Sequence, residues 1–132
     1  MTPASAQPQP TGRHILLELC ECPRELLDST ELIGEILKSC AVRGGATVVS
    51  ANFHKFSPQG VSGVIVIAES HITIHTWPEH GYAAVDVFTC GHSVIADQIA
   101  ALVIEDMKCG NHHLTAFQRQ PPAPKPVPCQ SS

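Results

Sequence analysis

Residues 61–89 read VSGVIVIAESHITIHTWPEHGYAAVDVFT, and the alternation inside this stretch decides the fold. Along 71–77 a period of two sets His71, Thr73, His75 and Trp77 on one face and Ile72, Ile74 and Thr76 on the other, the pattern of a half-buried strand. Strands at 61–68 and 82–89 flank it. The separator Pro78-Glu79-His80-Gly81 is recognisable turn chemistry. The separator Glu69-Ser70 is not, and it is the anomaly of the stretch.

Outward from this centre the same reading continues. A strand over 46–56 precedes Ser57-Pro58-Gln59-Gly60, and residues 14–20 form a first strand. The spacing of Leu32, Ile33, Ile36, Leu37 and Cys40 predicts a helix over 29–43. Asp28 and Glu31 are placed as a capping-box-like pair at its start, and Gly44-Gly45 ends it. A second helix spans 93–108, with Ser93 as its cap and Gly110 past its end, and a last strand covers 111–119. The order βαββββαβ predicts an α+β fold, an antiparallel sheet with two helices on one face. The other face then needs a cover, and a second protomer is the simplest one.

Length and composition agree with one domain. The chain has 132 residues, 43% apolar and 15% charged, which excludes a disordered, highly charged chain. Three of the eleven prolines fall in residues 3–10 and five in 121–128, so 1–12 and 120–132 read as mobile tails around a domain at 13–119. A net charge of −4 with no basic cluster argues against a nucleic-acid partner. Unbroken apolar runs such as Val64 to Ala68 are far short of a membrane span. No basic start with an apolar stretch opens the chain, so the expected location is the cytoplasm, with reduced cysteines.

The face bearing His71, Thr73, His75 and Trp77 makes a poor core and a good pocket wall. Three readings of it compete. Cys20-x-Cys22, Cys90-x-His92 and Cys109-x2-His112-His113 lack the paired spacing of structural zinc sites, so no metal is expected. Ser70 and His75, with Asp86 on the next strand as orienter, could form a hydrolase triad, but no Gly-x-Ser-x-Gly elbow exists. The third reading is a set of satisfied polar groups on a sheet surface.

Three segments carry a resemblance. They are 53–63 (FHKFSPQGVSG), 68–79 (AESHITIHTWPE) and 81–91 (GYAAVDVFTCG). Together they resemble the small prokaryotic S-adenosylmethionine decarboxylase proenzymes, a pyruvoyl-dependent family. The likeness extends from Gly12-Arg13-His14 through residue 91 and more weakly to about 119.

The resemblance implies that the chain cleaves itself between Glu69 and Ser70. Ser70 becomes a covalent pyruvoyl group, the only cofactor, which forms a Schiff base with the substrate amine. The resemblance makes His75 the proton acceptor in processing, Ser62 a helper of that step and Cys90 the proton donor in decarboxylation. It implies that Phe56, Trp77, Glu79 and the new carboxy-terminal Glu69 bind S-adenosylmethionine, with Phe56 on the adenine and Glu79 on the ribose. The product would feed spermidine synthesis. The family dimer packs two sheets face to face in an αββα sandwich with shared active sites. A scissile bond is expected to be strained and accessible, which would account for the odd separator. Past Cys90-Gly91 this chain has His92-Ser93-Val94-Ile95-Ala96-Asp97 where the family has an acidic, proline-containing helix start. Two other readings fit the same scaffold: a pyruvoyl-dependent ornithine or arginine decarboxylase, and an unprocessed paralogue serving as a partner subunit.

Overall fold

Period-two segments become six strands, and the two amphipathic segments become the helices that cover them. The computed structural model describes residues 11–91 and 93–122. In chain order the elements are β1 (Gly12–Cys20), α1 (Arg24–Leu27), α2 (Thr30–Arg43), β2 (Val48–Lys55), β3 (Val61–Ile67), β4 (Ser70–Trp77), a 3-10 turn (Pro78–His80), β5 (Tyr82–Cys90), α3 (Ser93–Asp106) and β6 (Asn111–Arg119). The strands form one sheet in the order β2-β3-β4-β5-β1-β6. Every neighbouring pair is antiparallel. The expected α+β class is the one the chain adopts.

Both long helices lie on one face. α2 packs on β2 and β3, α3 on β1 and β5, and the helices touch each other. The buried members of each strand alternate as the sequence dictates: Ile15, Leu17 and Leu19 in β1, Ile72 and Ile74 in β4, Val85 and Val87 in β5. They meet Leu37 and Cys40 of α2 and Ile99 and Val103 of α3. Each fully buried Val, Leu or Ile contributes about 1.5–3 kcal/mol relative to exposure. Among the described residues no layer covers the opposite face of the sheet, which presents Asn52, His54, Ser62, His71, Thr73, His75 and Trp77.

Three local expectations change. The cap of α2 is Ser29, whose Oγ accepts from the Leu32 N–H at 3.0 Å, and not the Asp28/Glu31 pair. Asp28 is drawn off by a distant donor, the Gly60 N–H at 2.8 Å, and by Lys55 at 3.6 Å. A one-turn helix, α1, stands before α2, in a segment with no periodic signal. Helix α3 begins at Ser93 itself, and the Ser93 side chain read as its cap lies outside the described residues. Most of both proposed tails, and Cys129, also lie outside them.

Candidate active site

The β3–β4 hairpin builds the centre of the open face. Its register sets Ser62 opposite His75. The Ser62 Oγ and His75 Nδ1 are 2.8 Å apart. In the tautomer whose Nδ1–H donates to the Ser62 Oγ, Nε2 carries the lone pair that can take a proton. A cavity of about 330 Å³ opens beside the pair, lined by Phe56, Gly60, Ser62, His75, Trp77 and Glu79. A second hollow of about 340 Å³ shares Ser62 and His75 and continues towards Asn52, His54 and Thr73. Both are of the size that holds a small ligand.

Local folding places each wall. Phe56 follows β2 on the Ser57–Gly60 turn, which its own N–H closes on the Gly60 carbonyl at 2.8 Å. Gly60 has a φ of +111°, a conformation that a side chain would strain, and its N–H is held by Asp28. The Phe56 ring stays 46% exposed, with the His54 ring edge-on at 4.5 Å. Trp77 ends β4 and stacks on Tyr82 at 5.1 Å. Tyr82 bonds to Glu18, which pushes the phenol up to about 12 and keeps it neutral. Below the cavity, buried Thr76 donates to the Leu27 carbonyl at 2.7 Å and accepts from the Val61 N–H at 2.9 Å. Glu79 stands exposed on the 3-10 turn, which ends at Gly81 with a φ of +62°.

A second cluster occupies the other end of β4. Ala68 and Glu69 form the loop between the paired residues Ile67 and Ser70. The Glu69 carbonyl accepts from the Cys90 N–H at 2.8 Å. The Glu69 carboxylate accepts from the Thr47 N–H at 3.1 Å. Cys90 is exposed at the end of β5. Ser70 is half-buried, and its Oγ lies 3.4 Å from Nδ1 of His71, which the sequence placed on the pocket-wall face without a role of its own. Glu69 and Ser70, which flank the expected cleavage bond, are both half-buried. The expected strain does not take the form of left-handed backbone, because neither Ala68 nor Glu69 has a positive φ.

The structure thus brings Phe56, Ser62, His75, Trp77 and Glu79 together, and Glu69, Ser70 and Cys90 together. It does not join the two groups within one chain. His75 is five residues from Ser70 along an extended strand, about 16 Å at ~3.3 Å per residue, and an odd separation turns the two side chains to opposite faces. The hydrolase arrangement is absent for the same reason. Asp86, its supposed orienter, faces His14 at 3.4 Å. Among the described residues no group of three His, Cys, Asp or Glu is arranged to hold a metal ion.

The family profile described as S-adenosylmethionine decarboxylase matches residues 13–120, which takes in both clusters. The chain belongs to the S-adenosylmethionine decarboxylase family. It is 59% identical over 108 residues to the S-adenosylmethionine decarboxylase proenzyme of Thermosipho africanus, covering 82% of this chain and 83% of that one. It is 54% identical over 108 residues to the proenzyme of the same name from Caldicellulosiruptor saccharolyticus, covering 82% and 87%. Its fold matches the crystal structure of the adenosylmethionine decarboxylase from Aquifex aeolicus with a TM-score of 0.82 at 32% identity, over 91% of this chain and 98% of that one. No helix among the described residues is long and apolar enough to cross a membrane.

Proposed function

We propose that the chain is a self-cleaving S-adenosylmethionine decarboxylase that works as a cytoplasmic homodimer in polyamine synthesis. The observation that carries the reading is the convergence of Phe56, Ser62, His75, Trp77 and Glu79 on one cavity beside a sheet face that no described residue covers. Aromatic faces suit an adenine ring and a sulfonium cation, and a carboxylate at the rim suits ribose hydroxyls. A plain amino acid such as ornithine or arginine needs neither feature.

The residues around Ser70 fit the formation of a pyruvoyl group there. The hydroxyl of a half-buried serine stands beside a peptide whose carbonyl already accepts a backbone N–H from Cys90 at 2.8 Å. That N–H is placed to stabilise charge on the carbonyl oxygen when Ser70 Oγ attacks the Glu69 carbon. His75, oriented by Ser62, then takes the Ser70 α-proton and the Glu69 carboxylate leaves, and the dehydroalanine left behind tautomerises and is hydrolysed by water, releasing ammonia, to the pyruvoyl group. The pyruvoyl ketone, once formed, supplies the electron sink for loss of carbon dioxide. Exposed Cys90, across from Glu69, is placed to return a proton to the substrate carbon. Phe56 and Trp77 orient the nucleoside, and Glu79 holds its ribose.

The separation of about 16 Å between His75 and Ser70 favours a shared site. In a two-fold dimer with the open faces together, Ser62 and His75 of one protomer serve Ser70 and Cys90 of the other.

Intact-mass analysis of purified protein tests the reading, with two fragments expected, residues 1–69 and 70–132, the second carrying a blocked amino-terminus. Ser70→Ala stays whole and inactive. Release of carbon dioxide from S-adenosylmethionine, measured beside ornithine and arginine, tests the substrate. A single uncleaved chain with full activity would sink the pyruvoyl mechanism.

A further inference from the structure

Among the described residues, one buried side-chain polar atom has no hydrogen-bond partner, the Oγ1 of Thr89. Thr89 is 0% exposed. The contrast is with buried Thr76, whose hydroxyl both donates and accepts. A buried hydroxyl left unpaired is destabilising, and an isosteric methyl in its place is not. Its position gives it a use. The register of β4 and β5 sets Thr89 directly opposite Ser70. The Cys90 N–H on the Glu69 carbonyl marks 69/90 as a hydrogen-bonded pair, so 70/89 is a non-hydrogen-bonded pair. Side chains of such a pair sit on one face and close together. The Ser70 hydroxyl leans instead towards His71 at 3.4 Å, a long contact that one rotation about χ1 exchanges for another.

We propose that Thr89 is a positioning residue for self-cleavage: its Oγ1 accepts a hydrogen bond from the Ser70 hydroxyl in the rotamer that attacks the Glu69 carbonyl. The inference rests on the self-processing reading above. In the step it serves, a bond forms between Ser70 Oγ and the Glu69 carbonyl carbon while the Glu69–Ser70 C–N bond breaks. The Oγ proton ends on the released α-amine. The peptide becomes an ester with nothing added or lost. Thr89 stands unpaired in the resting chain because its partner is the reacting hydroxyl, and a permanent partner would leave Ser70 unheld at the moment of attack.

The test follows cleavage by intact mass from cell-free synthesis, for wild type, Thr89→Val, Thr89→Ser and Ser70→Ala. Thr89→Val is expected to cleave roughly tenfold more slowly, the scale of one hydrogen bond. Thr89→Ser keeps the hydroxyl and is expected to stay within about threefold of wild type. In the uncleavable Ser70→Ala background, adding Thr89→Val is expected to leave the melting temperature unchanged or raise it. Hydroxylamine cuts esters, so it is expected to cleave chains stalled by His75→Ala and to leave chains stalled by Thr89→Val intact. Cleavage of Thr89→Val at the wild-type rate overturns the proposal. So do equal slowing in Thr89→Ser, a lowered melting temperature, or hydroxylamine cleavage of stalled Thr89→Val. A wild-type chain that never cleaves overturns the self-processing reading itself, whereas a cleaving wild type matched by Thr89→Val removes Thr89 alone.

Discussion

The Ser62–His75 bond is short enough to fix one imidazole nitrogen and one ring orientation. Ser62→Ala removes that restraint while leaving the base in place, so cleavage should slow roughly tenfold, whereas His75→Ala should stall it at the ester. Mass analysis with and without hydroxylamine separates the two. Phe56 and Glu79 stand at the rim, away from the scissile bond. Phe56→Ala and Glu79→Gln should each cost on the order of 1–3 kcal/mol in kcat/KM for S-adenosylmethionine, with self-cleavage largely intact. Equal loss of cleavage in either variant would place that residue in processing instead. At this scale the resemblance made every one of these residues nameable from the sequence. The partnership of Ser62 with His75 became geometric only through the β3–β4 register, which no spacing along the chain encodes.

The alternation in β4 was legible because a strand's period of two is fixed by backbone geometry and holds wherever one face is buried. The start of α2 was not, because a carboxylate next to a helix has more than one donor to choose from. Asp28 bonds the Gly60 N–H, 32 residues away, and leaves capping to Ser29. That difference yields paired predictions. Ser29→Ala should destabilise the protein by about 1 kcal/mol, lowering the melting temperature by a few degrees without changing KM. Asp28→Ala should instead loosen the turn that carries Phe56, raising KM for S-adenosylmethionine while the cleavage rate stays as it is. Thermal denaturation and steady-state kinetics on the two variants check both, and a shift in KM with Ser29→Ala would undo the distinction.

The sheet face that no described residue covers is the feature of the whole molecule on which the proposed dimer rests. Phe56, Val66, Trp77 and Phe117 all lie on it and are each between 39% and 48% exposed. These apolar side chains, spread across the sheet from β3 to β6, are ones that the proposed dimer would cover. The helix-covered face behaves as a closed core, where burial pushes the Cys22 and Cys40 thiols up from 9.0 to about 12. The folded state therefore holds those protons more tightly than the unfolded chain. The stability they contribute is complete below pH 9.0 and is lost as pH rises towards about 12, so the melting temperature should fall over that window and fall less in Cys40→Ala. The need for a cover on the open face could be read from the sequence, since two helices cannot cover both sides of a six-stranded sheet. Which residues the proposed dimer would share could not, because that depends on the distance between the two ends of β4. A mixed dimer tests the crossing. In a heterodimer of Ser70→Ala and His75→Ala chains, one site combines the intact Ser70 and Cys90 of the His75→Ala chain with the intact Ser62 and His75 of the other. The His75→Ala chain, inert alone, should then be cleaved, and decarboxylation should return to about half the wild-type level per dimer, because one of two sites is whole. Distinct affinity tags and intact-mass analysis of the doubly tagged fraction identify which chain was cut. If the His75→Ala chain stays uncleaved beside its complement, the base acts within its own protomer and β4 must rearrange to carry it there.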